Sequence, residues 1–162
     1  MVGLNHRDTI FAPVFAALHE KSKFLYLSRE PDDLFKSFYG KQQFTGGPQL
    51  MPVHYAFDPE FRWAVDLRDL VSMIAWYIKF TQEFCRAMGR VMKDRFLEIR
   101  AEDLFRQDRE TIERMLDFIG CSIPLERAVQ HYGRKINEKA HKAVIPVAPE
   151  VMDNFRNIYR HS

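Results

Sequence analysis

Apolar side chains recur along this chain at two spacings, every third or fourth position and in unbroken short runs, and the switching between them predicts alternating helix and strand. After Pro13, Val14, Phe15 and Leu18 share one face of a short helix that runs to about Ser22, with the proline in its first turn. Lys23-Phe-Leu-Tyr-Leu-Ser28 is then a continuous apolar run of strand length, the pattern of a strand covered on both faces in a parallel sheet. Pro31 opens the next helix, and Asp32 and Asp33 fall in its first turn, where the helix dipole favours carboxylates. The unit is strand, turn, helix.

Gly46, Gly47, Pro48 and Pro52 make residues 40 to 54 a long loop of the kind that closes over a substrate. From about Asp58 to Arg90 a long amphipathic helix repeats apolar residues at Leu67, Leu70, Val71, Ile74 and Ile78 and stops near Gly89. Arg95 to Ile99 reads as a second, half-buried strand. Asp108 caps a helix over Arg109 to Ile119, whose apolar face is Ile112, Met115, Leu116 and Ile119 and whose stop is Gly120. Pro124 opens one further helix, and Pro149 with Glu150 a last one that ends near Tyr159. The class is α/β, rich in helix, and 162 residues make one domain.

Composition narrows the function. The chain is 46% hydrophobic and 28% charged, a globular balance, and 14% aromatic, enough for an aromatic-lined pocket or a dense core. With 24 basic and 22 acidic residues it has no global field to draw it onto nucleic acid or an anionic membrane, and any anion site must be local. Charges interrupt the longest apolar stretch, Leu67 to Met88, which rules against a membrane span. Cys85 and Cys121 form neither a disulfide framework nor a metal knuckle, and a reducing compartment, the cytoplasm, is the plain reading.

The segment KFLYLSREPDDLFKSFY resembles sulfotransferases, in which an apolar strand runs into R-[DNE]-P and a serine follows eight residues after the arginine. Arg29 and Ser37 occupy those two positions, and the resemblance implies that they hold the 3'-phosphate of the donor, 3'-phosphoadenosine 5'-phosphosulfate. The chemistry agrees, since open α/β sheets bind ligands at strand C-terminal ends and a guanidinium pairs bidentately with phosphate. On the plain alternative, Arg29 pairs with Asp32 or Asp33 and Ser37 is an ordinary surface serine. A second block, FLEIRAEDLFRQDRETIERMLDFIGCSIP, resembles the family's strand, its R-Y-E-D-L turn and the helix that follows, with Ala101 in place of the tyrosine. It is evidence of fold.

Three further residues follow from the resemblance. His6, 23 residues before Arg29, matches the histidine that takes the acceptor's proton, although the lysine often found two residues earlier is Leu4 here. Arg134 and Lys135, in a basic loop before the last helix, fall where members close over the 3'-phosphate. The stretch IN-x(3)-HK, with His141 and Lys142, resembles bacterial and carbohydrate-directed members rather than the cytosolic branch.

The family's phosphate-cradling P-loop has no counterpart here, neither as G-x(4)-G-K-[ST] nor as P-K-[ST]-G-[ST]. The expectation is a P-loop-type parallel sheet with flanking helices that lacks its N-terminal strand and P-loop, with Met1 to Leu4 the remnant of that strand. The resemblance implies sulfuryl transfer from the nucleotide to a hydroxyl or amine of a small-molecule or carbohydrate acceptor, without a metal, although the isolated chain would not be competent. The alternative is a noncatalytic nucleotide-binding or interaction module. In either case an unpaired strand edge invites homodimers.

Overall fold

The computed structural model describes residues 9–40, 69–132 and 146–161. A 3-10 turn at Thr9–Phe11 leads into α1 (Ala12–Leu18), β1 (Phe24–Ser28) and α2 (Pro31–Gly40). The second described stretch holds α3 (Leu70–Met92), a 3-10 turn (Lys93–Arg95), β2 (Phe96–Arg100), α4 (Ala101–Phe105), α5 (Arg109–Ile119) and α6 (Leu125–Tyr132), and the third holds α7 (Pro149–His161).

β1 and β2 pair in parallel, in register from Phe24 opposite Phe96 to Ser28 opposite Arg100. Parallel neighbours need a long crossover, and helices α2 and α3 lie within it. The pairing brings the C-terminal ends of both strands, and the residues just beyond them, to one place.

Two apolar clusters hold this arrangement. In the first, Phe35 of α2, Ile74 and Ile78 of α3 and Phe155 of α7 are all but inaccessible, and the Phe35 and Phe155 rings stack with centroids 4.1 Å apart. Fully burying one such side chain is worth about 1.5 to 3 kcal/mol, so this three-helix contact is what fixes α7 against the rest. The second cluster joins Ile99 of β2 to Leu104, Ile112, Met115, Leu116 and Ala128 from α4, α5 and α6. Asp108 caps α5 as its sequence predicts, accepting from the Thr111 amide at 2.9 Å, and Gly120 ends that helix at φ 68°, a left-handed conformation that suits glycine.

Three local expectations need correction. Asp69 takes the two amides of Val71 and Ser72 and has extended backbone angles, so α3 starts at Leu70, and residues 58–68 lie outside the described ones. The apolar spacing reads on through Leu67 because a cap does not interrupt a hydrophobic period. Nor does α3 stop at Gly89: it continues to Met92, and the glycine is there because a Cβ would lie 3.0 Å from the Phe96 ring. Finally, β1 is covered on one face only. Leu97 and Ile99 of β2 are packed by the second cluster, but their neighbours Leu25 and Leu27 on the same face of β1 are 38% and 51% exposed. The loop at residues 41–54 lies outside the described residues, and the chain's two cysteines are free thiols.

Candidate functional site

The C-terminal ends of β1 and β2 carry a set of crossed charges. Ser28 is buried, and its hydroxyl donates to the Ile99 carbonyl at 3.4 Å, which ties the strand ends together. One residue on, the chain leaves β1 at Arg29 and Glu30. Opposite, it leaves β2 at Arg100 and enters α4 through Ala101 and Glu102. Arg100 Nη2 lies 2.5 Å from Glu30 Oε1, while Arg29 Nε faces Glu102 Oε1 at 3.9 Å. Each strand end thus contributes one cation to the other's carboxylate.

The first pair is exposed on both sides and the second is not. Glu102 is 21% exposed at its side chain and Arg29 37%. Arg29 Nε and Glu102 Oε2 are both buried without a hydrogen-bond partner, and the Arg29 guanidinium donates no hydrogen bond to any described residue. An arginine held this way keeps its terminal nitrogens available to an anion.

The peptide unit that follows Arg29 is pinned at both its carbonyl and its amide. Gln82, buried in α3, donates from Nε2 to the Arg29 carbonyl at 3.0 Å. Its Oε1 accepts from the Tyr159 hydroxyl of α7 at 2.7 Å, which sets the orientation of the carboxamide. Burial pushes the Tyr159 hydroxyl up, with Arg86 pulling partly against it, so the group is a proton donor at neutral pH. The Glu30 amide donates to Glu102 Oε1 at 3.2 Å.

Asp32 and Asp33 do not take Arg29. Asp32 accepts two bonds from Arg156 of α7, at 3.0 Å from Nε and 2.7 Å from Nη2, and Asp33 lies 3.7 Å from Lys36. Asp32 is thus taken by α7 and Asp33 by its own helix, which corrects the pairing expected from their nearness in sequence. Ser37 is half-buried at the end of the second turn of α2, the helix that starts beside Arg29. Ala101, where the resemblance leads one to expect an aromatic ring, is buried at 5% exposure. His6, Arg134 and Lys135 lie outside the described residues.

Sequence reasoning singled out Arg29 and missed the groups that hold it. Gln82 had a readable signal, since it continues the apolar series Ile74, Ile78 with a polar side chain, and a carboxamide on a buried stripe needs a partner. Glu102 had none beyond its place in the R-A-E-D-L turn.

Behind β1 lies an apolar cavity of about 310 Å³ between the strand and α3. Cys85 is on its wall, and burial, with the Glu98 charge adding, pushes the thiol up to about 12. It is a protonated packing group at neutral pH and no nucleophile. Among the described residues no three His, Cys, Asp or Glu side chains come together in a way that could hold a metal ion, and no helix is long and apolar enough to cross a membrane.

A family model described as a sulfotransferase domain matches residues 12–144, from the start of α1 to beyond α6. No curated protein and no solved structure matches the chain.

Proposed function

Since the chain belongs to the sulfotransferase domain family, we propose that it binds 3'-phosphoadenosine 5'-phosphosulfate and serves transfer of the sulfuryl group to a hydroxyl or amine acceptor, a transfer that also needs a P-loop, which these 162 residues do not contain. The observation that carries the reading is Arg29: a cation at the C-terminal end of parallel strands, fixed at its carbonyl and at the next amide, with no hydrogen bond taken by its guanidinium among the described residues. A 3'-phosphate meets such a group bidentately, which is stronger and more directional than a single contact. Ser37 adds a neutral hydroxyl donor on α2, and Arg134 and Lys135 are proposed to close over the same phosphate.

In the transfer step the acceptor oxygen or nitrogen forms its bond to sulfur as the bond from sulfur to the bridging phosphate oxygen breaks. The products are the sulfated acceptor and adenosine 3',5'-bisphosphate. The acceptor's proton leaves to a base, and His6 is the proposed base, an imidazole being suited to that task near neutral pH. A small-molecule or carbohydrate acceptor is the reading that accompanies the IN-x(3)-HK stretch. Free thiols at Cys85 and Cys121 support a reducing compartment, the cytoplasm.

The test is nucleotide choice by titration calorimetry. Adenosine 3',5'-bisphosphate is expected to bind more tightly than adenosine 5'-monophosphate, and Arg29→Ala is expected to weaken the bisphosphate by about tenfold or more, the worth of one charge-assisted contact. Equal affinity for the two nucleotides in the unsubstituted protein would refute the assignment.

A further inference from the structure

Arg29 is the group that the proposed function asks to meet a phosphate, yet a carboxylate stands beside it. Glu102 is a net electrostatic cost to any anion bound there, and in a site built only to attract phosphate it would have no place. Three observations make sense of it together. Its Oε1 accepts the Glu30 amide, the peptide unit that leaves Arg29, at 3.2 Å. The same oxygen faces Nε, the inner edge of the guanidinium, at 3.9 Å. Both Nε and Glu102 Oε2 are buried and lack hydrogen-bond partners.

A guanidinium presents its donors in a fixed planar fork. If the carboxylate occupies the Nε side, the plane is set and the terminal nitrogens are the ones left to face outward. The two orphaned atoms lie on facing groups, so a small approach of Arg29 toward Glu102 would satisfy both. An anion that draws the terminal nitrogens into one plane with its oxygens favours that approach. A buried polar atom without a partner is costly, which gives the approach a driving force of its own.

We propose that Glu102 is a positioning residue for Arg29: it holds the inner edge of the guanidinium so that the outer edge is presented to the 3'-phosphate of the nucleotide. The proposal rests on the Arg29 reading given above and deepens it. Glu102 does not touch the ligand. Its contribution is to remove the rotational freedom that an arginine would otherwise lose on binding.

The experiment compares the affinity ratio of adenosine 3',5'-bisphosphate over adenosine 5'-monophosphate in the unsubstituted protein and in Arg29→Ala, Glu102→Ala and Glu102→Gln. Glu102→Ala is expected to lower that ratio by about fivefold to tenfold, despite removing a negative charge, and Glu102→Gln, which keeps an acceptor oxygen, to recover most of it. Circular dichroism on each variant checks that the fold is intact. If the alanine variant does not fold, the decision passes to the glutamine variant and to NMR of the unsubstituted protein, where the Arg29 Nε proton is expected to exchange slowly with solvent with and without nucleotide. A raised ratio in Glu102→Ala would mean that the carboxylate only competes with phosphate, and the proposal falls. An unchanged ratio there, with a lowered one in Arg29→Ala, overturns the role of Glu102 and leaves Arg29 as the clamp. An unchanged ratio in Arg29→Ala overturns the clamp itself. Fast exchange at Nε would remove the geometric basis of the proposal.

Discussion

Replacing Gln82 with leucine removes the side chain that connects the last helix to the strand end carrying Arg29. Two hydrogen bonds go with it, Nε2 to the Arg29 carbonyl at 3.0 Å and the Tyr159 hydroxyl to Oε1 at 2.7 Å. A neutral hydrogen bond is worth about 0.5 to 1.5 kcal/mol net, but a buried group left without a partner costs about 1 to 3 kcal/mol. Tyr159→Phe removes a donor at a partly buried position, so it belongs at the low end, about 1 kcal/mol. Gln82→Leu strands both the Arg29 carbonyl and the Tyr159 hydroxyl. At a position only 4% exposed, leucine recovers part of the loss through apolar burial, and the net is about 1 to 3 kcal/mol. In the double variant no hydroxyl is left stranded. The combined loss therefore falls short of the sum of the two single losses by about 1 kcal/mol. Urea unfolding of the four proteins, followed by far-UV circular dichroism at matched slopes, measures the cycle. Additivity within about 0.3 kcal/mol would refute the connection from Tyr159 through Gln82 to Arg29.

Gly89→Ala should destabilise the protein although alanine is the better helix former. The gain of about 0.5 to 1 kcal/mol in helix propensity is outweighed by a Cβ placed 3.0 Å from the Phe96 ring, and thermal unfolding gives the sign. Asp108 is held below its ordinary value first by the Thr111 hydroxyl and then by the Thr111 amide, so its cap is present above the unfolded value of 3.8 and is lost as pH falls through the lower folded value. Asp108→Asn, which keeps an acceptor, should flatten that part of the acid melting profile. Arg95 donates to the carbonyls of Ala16, His19 and Glu20 at the C-terminal end of α1. Arg95→Leu should speed amide hydrogen exchange in α1 and leave α5 unchanged.

Helix α5 was fully legible because every rule at its ends is local: Asp108 and Gly120 act within one turn of the residues they cap. The proline starts of α2 and α7 were legible for the same reason. Cover on β1 was not, since an apolar run shows that a strand can be buried on both faces but not whether its neighbours reach that far, and here the second cluster ends at β2. At the site, the resemblance of its segment to sulfotransferases is what singles out Arg29 at the end of an apolar strand. Its partner was not legible: nearness along the chain favours Asp32 and Asp33, whereas strand pairing delivers Glu102 from a distant segment. Arg156 claims Asp32 by the same kind of long-range contact.

The parallel pairing of β1 and β2 also sets a timetable. Glu30 and Glu102, bonded across the strand ends, are 72 residues apart in sequence, and such distant contacts form slowly because the chain must first close a long loop. Ribosomes add about 5 to 20 residues per second, so β1 leaves the tunnel about 4 to 14 seconds before the strand that completes it. Throughout that interval Leu25 and Leu27 lack β2, the strand β1 pairs with among the described residues, and the newly made segment offers an apolar strand open on that edge, the form that chaperones bind and that nascent chains aggregate through. A chain halted before residue 96 thus carries Arg29 without the strand end and the carboxylate of Glu102 that face it in the folded protein.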